Sequence, residues 1–301
     1  MRARFSQETF ITTTSFMKGK KILITGGAGF IGSHLCELLS ESNSVCSLDN
    51  YLTGSIDNHI DGVEYINGDC KKIQTLCSHI DPDVIYHLGE YSRVETSFDD
   101  YGFVIENNLS QFQYVLEFAK EKKAKLIYSG SSTKFGDDYG GSDASPYAWT
   151  KATNTKHLSN YSEWFGLEYA IVYFYNAYGG RELSQGKYAT LIGRYQKLYK
   201  KGLRSLPVVR PGTQVRNFTH ISDIISALVI VGEKGKGDGF GIGADESFSI
   251  LEVVSMFGCD YEWLEERKGN RMTAELVTTK TKDLGWSPKT RLPEYIKKQK
   301  N

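Results

Sequence analysis

A chain of 301 residues, 40% of them hydrophobic, can bury the core of one large domain, or of a large domain with a smaller lobe. Its 36 basic and 36 acidic side chains cancel, which removes the global field that would recruit nucleic acid or an anionic membrane. Five cysteines without a CxxC pair do not read as a disulfide framework. No stretch approaches the roughly 20 apolar residues of a membrane span, so the expectation is a cytoplasmic protein with no nucleic-acid or membrane partner.

Residues 1–16, with Arg2, Arg4 and a threonine run, lack the continuous apolar stretch of a secretory signal and read as a flexible tail. From residue 17 to 179 short β-branched runs alternate with helical patterns, the signature of a doubly wound parallel sheet. The expected strands are Lys21 to Thr25, Val45 to Leu48, Val63 to Ile66, Val84 to Leu88, Leu126 to Ser129 and Tyr169 to Phe174. Ile31, Leu35, Leu38 and Leu39 keep one helical face apolar, as do Leu109, Phe112, Leu116 and Ala119. Residues 180–301 lose this rhythm and read mainly as a smaller substrate-binding lobe, with segments free to return to the first domain.

The first strand runs into Thr25-Gly26-Gly27-Ala28-Gly29-Phe30-Ile31-Gly32. Glycine at Gly26, Gly29 and Gly32 permits a tight turn and lets backbone N–H groups approach a pyrophosphate at a helix N-terminus. The placement between a strand and an amphipathic helix is what gives the pattern its weight. Asp49, at the end of the second strand and 20 residues after Gly29, suits the ribose hydroxyls of an adenosine and would repel a 2′-phosphate, so NAD is expected over NADP. Asn50 adjoins it, and Asp69, followed by Cys70, is placed to reach the adenine.

Further on, Tyr147 precedes Lys151 by four residues, one helical face apart. A free phenol is a poor base, but a neighbouring ammonium stabilises the phenolate, and Tyr147 would then take a hydroxyl proton while hydride leaves the same carbon. Ser131 and Ser132, at the carboxyl end of the fifth strand, supply hydroxyls to hold the reacting oxygen.

The order TGGAGFIG, Asp49, Gly68-Asp69, His87-Leu88-Gly89, SSTKFG, YxxxK and Phe174-Tyr175-Asn176-Ala177-Tyr178-Gly179 resembles the extended short-chain dehydrogenases that act on nucleotide sugars, the UDP-galactose 4-epimerase relatives. The resemblance spans about Lys20 to Leu292 and implies a Rossmann-type NAD-binding domain with a C-terminal substrate lobe. It implies Ser131, Tyr147 and Lys151 as the catalytic set, Lys151 also holding the cofactor ribose. Phe30, Ile31, Leu88 and Asn108 fall on the cofactor side, Asn176 and Arg216 at the substrate diphosphate, and Arg267 as a second diphosphate arginine. It further implies a homodimer through helices including Asn107 to Lys120 and Thr150 to Phe165.

Oxidation at C4 of the sugar is the step such a family shares. Ser132-Thr133 stand where dehydratases carry Asp-Glu, the decarboxylases' glutamate is missing, and no cysteine occurs between Cys77 and Cys259 to serve a reductive 3,5-epimerase. A nucleotide-sugar 4-epimerase is the main expectation, with a 4-dehydrogenase releasing the ketone as the alternative. A non-catalytic NAD-binding regulator on the same fold is the reading from another class, and an enzyme of the same family acting on a free sugar or steroid-like alcohol is a third. No grouping has metal-ligand spacing, so no metal is expected.

The chain departs from the family pattern at several points. Glu90 stands in His87-Leu88-Gly89-Glu90 where a small residue is usual, read either as tuning the substrate pocket or as a solvent-facing side chain. The interval from Ser131 to Tyr147 is 16 residues, shorter than expected for epimerases. Lys134-Phe135 replaces Val-Tyr, and Asn217 and Asn270 stand where Asp is usual. His87, at a strand end, reads as a packed structural imidazole.

Overall fold

The computed structural model describes residues 17–135, 141–266 and 272–300. The tail 1–16, Arg267 and Asn270 lie outside them. In chain order the large domain runs β1 (Lys21–Thr25), α1 (Phe30–Leu39), β2 (Ser44–Asp49), β3 (Glu64–Asn67), α2 (Ile73–Leu76), β4 (Val84–His87), α3 (Tyr101–Val104), α4 (Gln111–Lys122), β5 (Lys125–Ser131), α5 (Pro146–Phe165) and β6 (Tyr169–Phe174). There follow β7 (Ala177–Tyr178), α6 (Leu191–Lys200), β8 (Ser205–Val209), β9 (Val215–Asn217), β10 (Thr219–His220), α7 (Ile221–Lys234), β11 (Gly237–Ile242), β12 (Ser247–Ser249), α8 (Ile250–Phe257), β13 (Asp260–Leu264), α9 (Thr279–Asp283) and α10 (Leu292–Lys300).

Seven parallel strands in the order β11-β6-β5-β4-β1-β2-β3 form the main sheet. The six strands read from sequence all lie in it, each within a few residues of the expected bounds. Strand order reverses between β1 and β4, which opens a crevice at the carboxyl ends of those strands, where ligands of such sheets bind. Both sheet faces are buried, as a parallel sheet covered by crossover helices requires. Ile22 and Ile24 pack with Leu35 and Leu39 of α1 and with α7, whereas Leu23 packs on the opposite face with Phe112, Leu116 and Ala119 of α4 and Leu158 of α5. Met17 already belongs to this core.

The seventh strand comes from beyond residue 180, one of the segments that the sequence left free to return to the first domain. Gly237–Ile242, read as part of a glycine-rich lobe segment, pairs with β6 at the sheet edge, with a register shift between Gly237 and Phe240. One of its glycines serves close contact: a Cβ on Gly241 would lie 1.7 Å from the carbonyl oxygen of Val277. Helix α7 returns with it, packing on α1 and β6. The smaller lobe has its own core of Tyr178, Ile192, Tyr195, Leu206, Val208, Phe218, Val253 and Phe257.

Candidate active site

The cofactor crevice starts at the β1–α1 turn. Gly26 adopts φ +77°, and a Cβ on Gly32 would fall 2.1 Å from the Gly26 carbonyl oxygen, so the turn closes only with glycine at these points. Helix α1 begins with Gly29 as N-cap, without a side-chain cap or an acidic residue in its first turn. Its first N–H groups therefore face the crevice as an anion site, which fits the pyrophosphate of a dinucleotide.

Gly26, Gly29, Phe30, Ile31, Gly32, Asp49, Asn50, Asp69, Cys70, Leu88 and Lys151 all line this one cavity. Asp49 is held in place by N–H donation from Ala28 (2.9 Å) and Tyr51 (2.8 Å). Asn50 Nδ2 donates to Asp69 Oδ1 at 2.8 Å, tying together the tips of β2 and β3. Asn108 differs from expectation. It is fully buried behind the crevice wall, where its side-chain oxygen accepts from Tyr91 N (2.8 Å) and its Nδ2 donates to Thr150 Oγ1 (3.0 Å). A π-helical stretch, Ile105–Ser110, joins α3 to α4, and within it Asn107 rather than Asn108 lines the cavity.

Helix α5 is set by a Ser145 cap, whose Oγ accepts from Ala148 N at 3.1 Å, with Pro146 in the first turn; Gly166 in the left-handed region ends it. That phase turns Ala148, Lys151, Thr155 and Leu158 inward. Lys151 is almost wholly buried, and its Nζ donates to Ser129 O at 2.7 Å and to Glu90 Oε2.

Glu90 is the least expected member of the site. Its side chain is 1% exposed, which overturns the solvent-facing alternative. Oε2 also accepts from Tyr128 Oη (3.0 Å), and Oε1 accepts from Asn154 Nδ2 (3.0 Å). His87 Nε2 lies 3.3 Å from Oε1, near enough for electrostatic contact but not aligned as a hydrogen bond. Burial raises the Glu90 carboxyl, but Lys151 and His87 more than offset it and hold the group below the usual carboxylate range. Burial, then Glu90, drives the Tyr128 phenol well above its ordinary value, so it remains a donor. His87 is fully buried, stacked on Phe112 at 5.4 Å and joined through Nδ1 to Thr25 Oγ1 at 2.7 Å.

A second cavity opens beside the first, lined by Ser131, Ser132, Asn176 and Arg216. Ser131 Oγ accepts from Thr133 Oγ1 at 2.9 Å. Asn176, with φ +32°, donates from Nδ2 to Asn217 O at 3.1 Å. Arg216 donates from one terminal nitrogen to Val215 O (2.8 Å) and Met272 O (3.2 Å). Tyr147 lines both cavities, as do Ser92, Arg93, Phe174 and Thr190. The phenol thus stands where a dinucleotide and a second ligand would meet.

Arg93 escaped the sequence reading. It interacts electrostatically with Tyr147, donates to Tyr188 O, and has a buried Nε without a hydrogen-bond partner. No motif marks it, because it follows β4 in a segment of irregular chain. Among the described residues no cluster of His, Cys, Asp and Glu is arranged to hold a metal ion, and no helix is long and apolar enough to cross a membrane.

The family model described as the NAD dependent epimerase/dehydratase family matches residues 22–243. The chain belongs to this family. As a member it is an enzyme, and its cofactor is NAD. The chain is 28% identical to a putative UDP-glucose 4-epimerase of Methanocaldococcus jannaschii over 93% of its own length and 97% of that protein. It is 32% identical to a UDP-N-acetyl-alpha-D-glucosaminuronate decarboxylase of Bacillus cytotoxicus over 78% of each chain. The Thermus thermophilus UDP-glucose 4-epimerase, solved with NAD, superposes with a TM-score of 0.84 at 25% identity, covering 92% of this chain and 96% of the other. Epimerases and decarboxylases thus share this epimerase/dehydratase architecture.

Proposed function

We propose that the protein is a nucleotide-sugar 4-epimerase, working through oxidation at C4 to a 4-keto sugar. The observation that carries the reading is the position of Tyr147 at the junction of the two cavities. Its relatives include proteins named for UDP-glucose, which makes UDP-sugars the first substrates to try.

Bound NAD supplies the hydride acceptor. Tyr147 takes the C4 hydroxyl proton as the carbonyl forms, and returns it when the ketone is reduced, so that no net redox change remains. Ser131, tied to Thr133, holds the reacting oxygen. Lys151 fixes the ribose side of the crevice. Arg216 and Asn176 in the second cavity serve the diphosphate, with Arg216 as the charge-assisted donor. Arg267 is proposed as the second diphosphate ligand.

The catalytic segment favours epimerisation over dehydration, because Ser132-Thr133 follow Ser131 in place of an acid–base pair. Incubation with UDP-glucose, UDP-galactose and their N-acetyl forms, followed by chromatography and NMR of the products, tests the reading. A C4 epimer of equal mass with no net NADH is the expected result. Stoichiometric NADH with a released 4-keto sugar would replace it with a 4-dehydrogenase. Loss of water or carbon dioxide would remove both.

Assembly as a cytoplasmic homodimer is part of the proposal. Tyr114 of α4 and Trp149, Trp164 and Phe165 of α5 are exposed, and pairing of these helices with a second copy would cover them. Light scattering that returns a monomer mass rejects the dimer.

A further inference from the structure

The buried pair of Glu90 and Lys151 lies beside the reacting groups without touching the second cavity. An ammonium has three N–H donors. Ser129 O and Glu90 Oε2 take two of those of Lys151, leaving one for the crevice. Glu90 is in turn fixed from three elements: His87 of β4, Tyr128 of β5 and Asn154 of α5. Cys70, from the turn after β3, also faces it electrostatically, as a thiol that burial pushes up to about 12. Arg93, which lines the same cavity, interacts electrostatically with Tyr147. Of Lys151 and Arg93, the lysine and the arginine among these groups, it is Lys151 that donates to the Glu90 carboxylate.

We propose that Glu90 is a positioning residue for the reaction: a buried counter-ion that anchors Lys151 and compensates its charge, so that the Tyr147 phenol faces a neutralised pair. This rests on the proposed role of Tyr147 and deepens it. An uncompensated ammonium stabilises a phenolate; a compensated one does so less, because the field of the carboxylate opposes that of the ammonium. The pair therefore limits how far the ammonium stabilises the Tyr147 phenolate, the group that takes the proton on oxidation and returns it on reduction. The wedge of carboxylate also fixes the two donors of Lys151, so the lysine cannot swing toward the second cavity.

The test reads the phenolate directly. NAD binding is first established by fluorescence titration, and the NAD-loaded protein is then titrated at 295 nm alongside Tyr147→Phe. The difference isolates the ionisation of Tyr147 and needs no sugar, so an error about substrate does not affect it, whereas failure to bind NAD rejects the enzymatic reading itself. In Glu90→Gln and Glu90→Ala the Tyr147 step is expected at least about one pH unit below the wild type, a tenfold change in its ionisation constant. Equal midpoints in wild type and variants overturn the proposal, since a purely structural Glu90 would leave the step in place. If neither variant folds, Glu90→Asp, which keeps the charge but withdraws it from Lys151, is titrated in their place: a downward shift of the Tyr147 step supports the pair, and an unchanged midpoint overturns it.

Discussion

Lys151 Nζ lies 2.7 Å from the carbonyl oxygen of Ser129, which fastens α5 to the carboxyl end of β5 two residues before Ser131. The YxxxK helix and the hydroxyl-bearing strand end, separate in sequence, become one rigid assembly. Catalysis by positioning depends on this kind of fixed frame.

Tyr147→Phe removes the proton acceptor while leaving the ring that lines both cavities. Turnover of the nucleotide sugar should fall by about 100- to 10,000-fold, the range for loss of a general acid–base group. NAD affinity should change less than about threefold, since a single hydroxyl is lost at one edge of the crevice. Product assays and equilibrium titration with NAD check the two parts separately.

Gly32→Ala places a methyl 2.1 Å from the Gly26 carbonyl, a backbone atom that cannot move without opening the turn. Stability should fall by about 1–3 kcal/mol and NAD affinity by at least about tenfold. Denaturant unfolding with and without NAD measures both.

Asp49→Ala leaves the N–H groups of Ala28 and Tyr51 without their carboxylate acceptor. NAD should bind about tenfold or more weakly, and the margin over NADP should narrow because no anion remains to repel a 2′-phosphate. Parallel titrations with the two dinucleotides give the ratio.

Glu182 holds the chain between β7 and α6, accepting from Gly179 N at 3.1 Å and from Thr190 Oγ1. Burial pushes its carboxyl up to about 7. Below the unfolded value near 4.5 both states are protonated and the group is neutral to stability. As pH rises from there the unfolded chain releases its proton while the native one does not, so stability is lost progressively until about pH 7 and stays lower above it. Glu182→Gln should therefore raise Tm at pH 8 by several degrees and leave it nearly unchanged at pH 4.5. Thermal scans at the two pH values decide it; a larger effect at pH 4.5 would contradict the sign.

Local rules were enough for the strand β1, the glycine turn, Asp49 and the capped start of α5, because each is a pattern of neighbours along the chain: alternation, absence of Cβ, a serine before a proline. They also placed Ser131, Tyr147 and Lys151 in one family pattern. Gly237–Ile242 was not legible as a strand, since glycine weakens strand propensity and only the open edge of β6 and the close passage of Val277 make it pair. Asn108 was assigned to the crevice because sequence gives position on a helix but not the wider π turn that sends its side chain inward.

The amino-acid order by itself determined the doubly wound sheet, the dinucleotide crevice and the chemical types gathered at its rim, because hydrophobic period, glycine and capping act within a few residues of one another. Only tertiary structure decided that Glu90 meets Lys151, that Arg93 faces Tyr147, and that the two cavities join at one phenol. Those relations arise from packing β4, β5 and α5 against one another, across a separation of about 60 residues for Glu90 and Lys151, and burial there excludes the water that would otherwise screen the two charges.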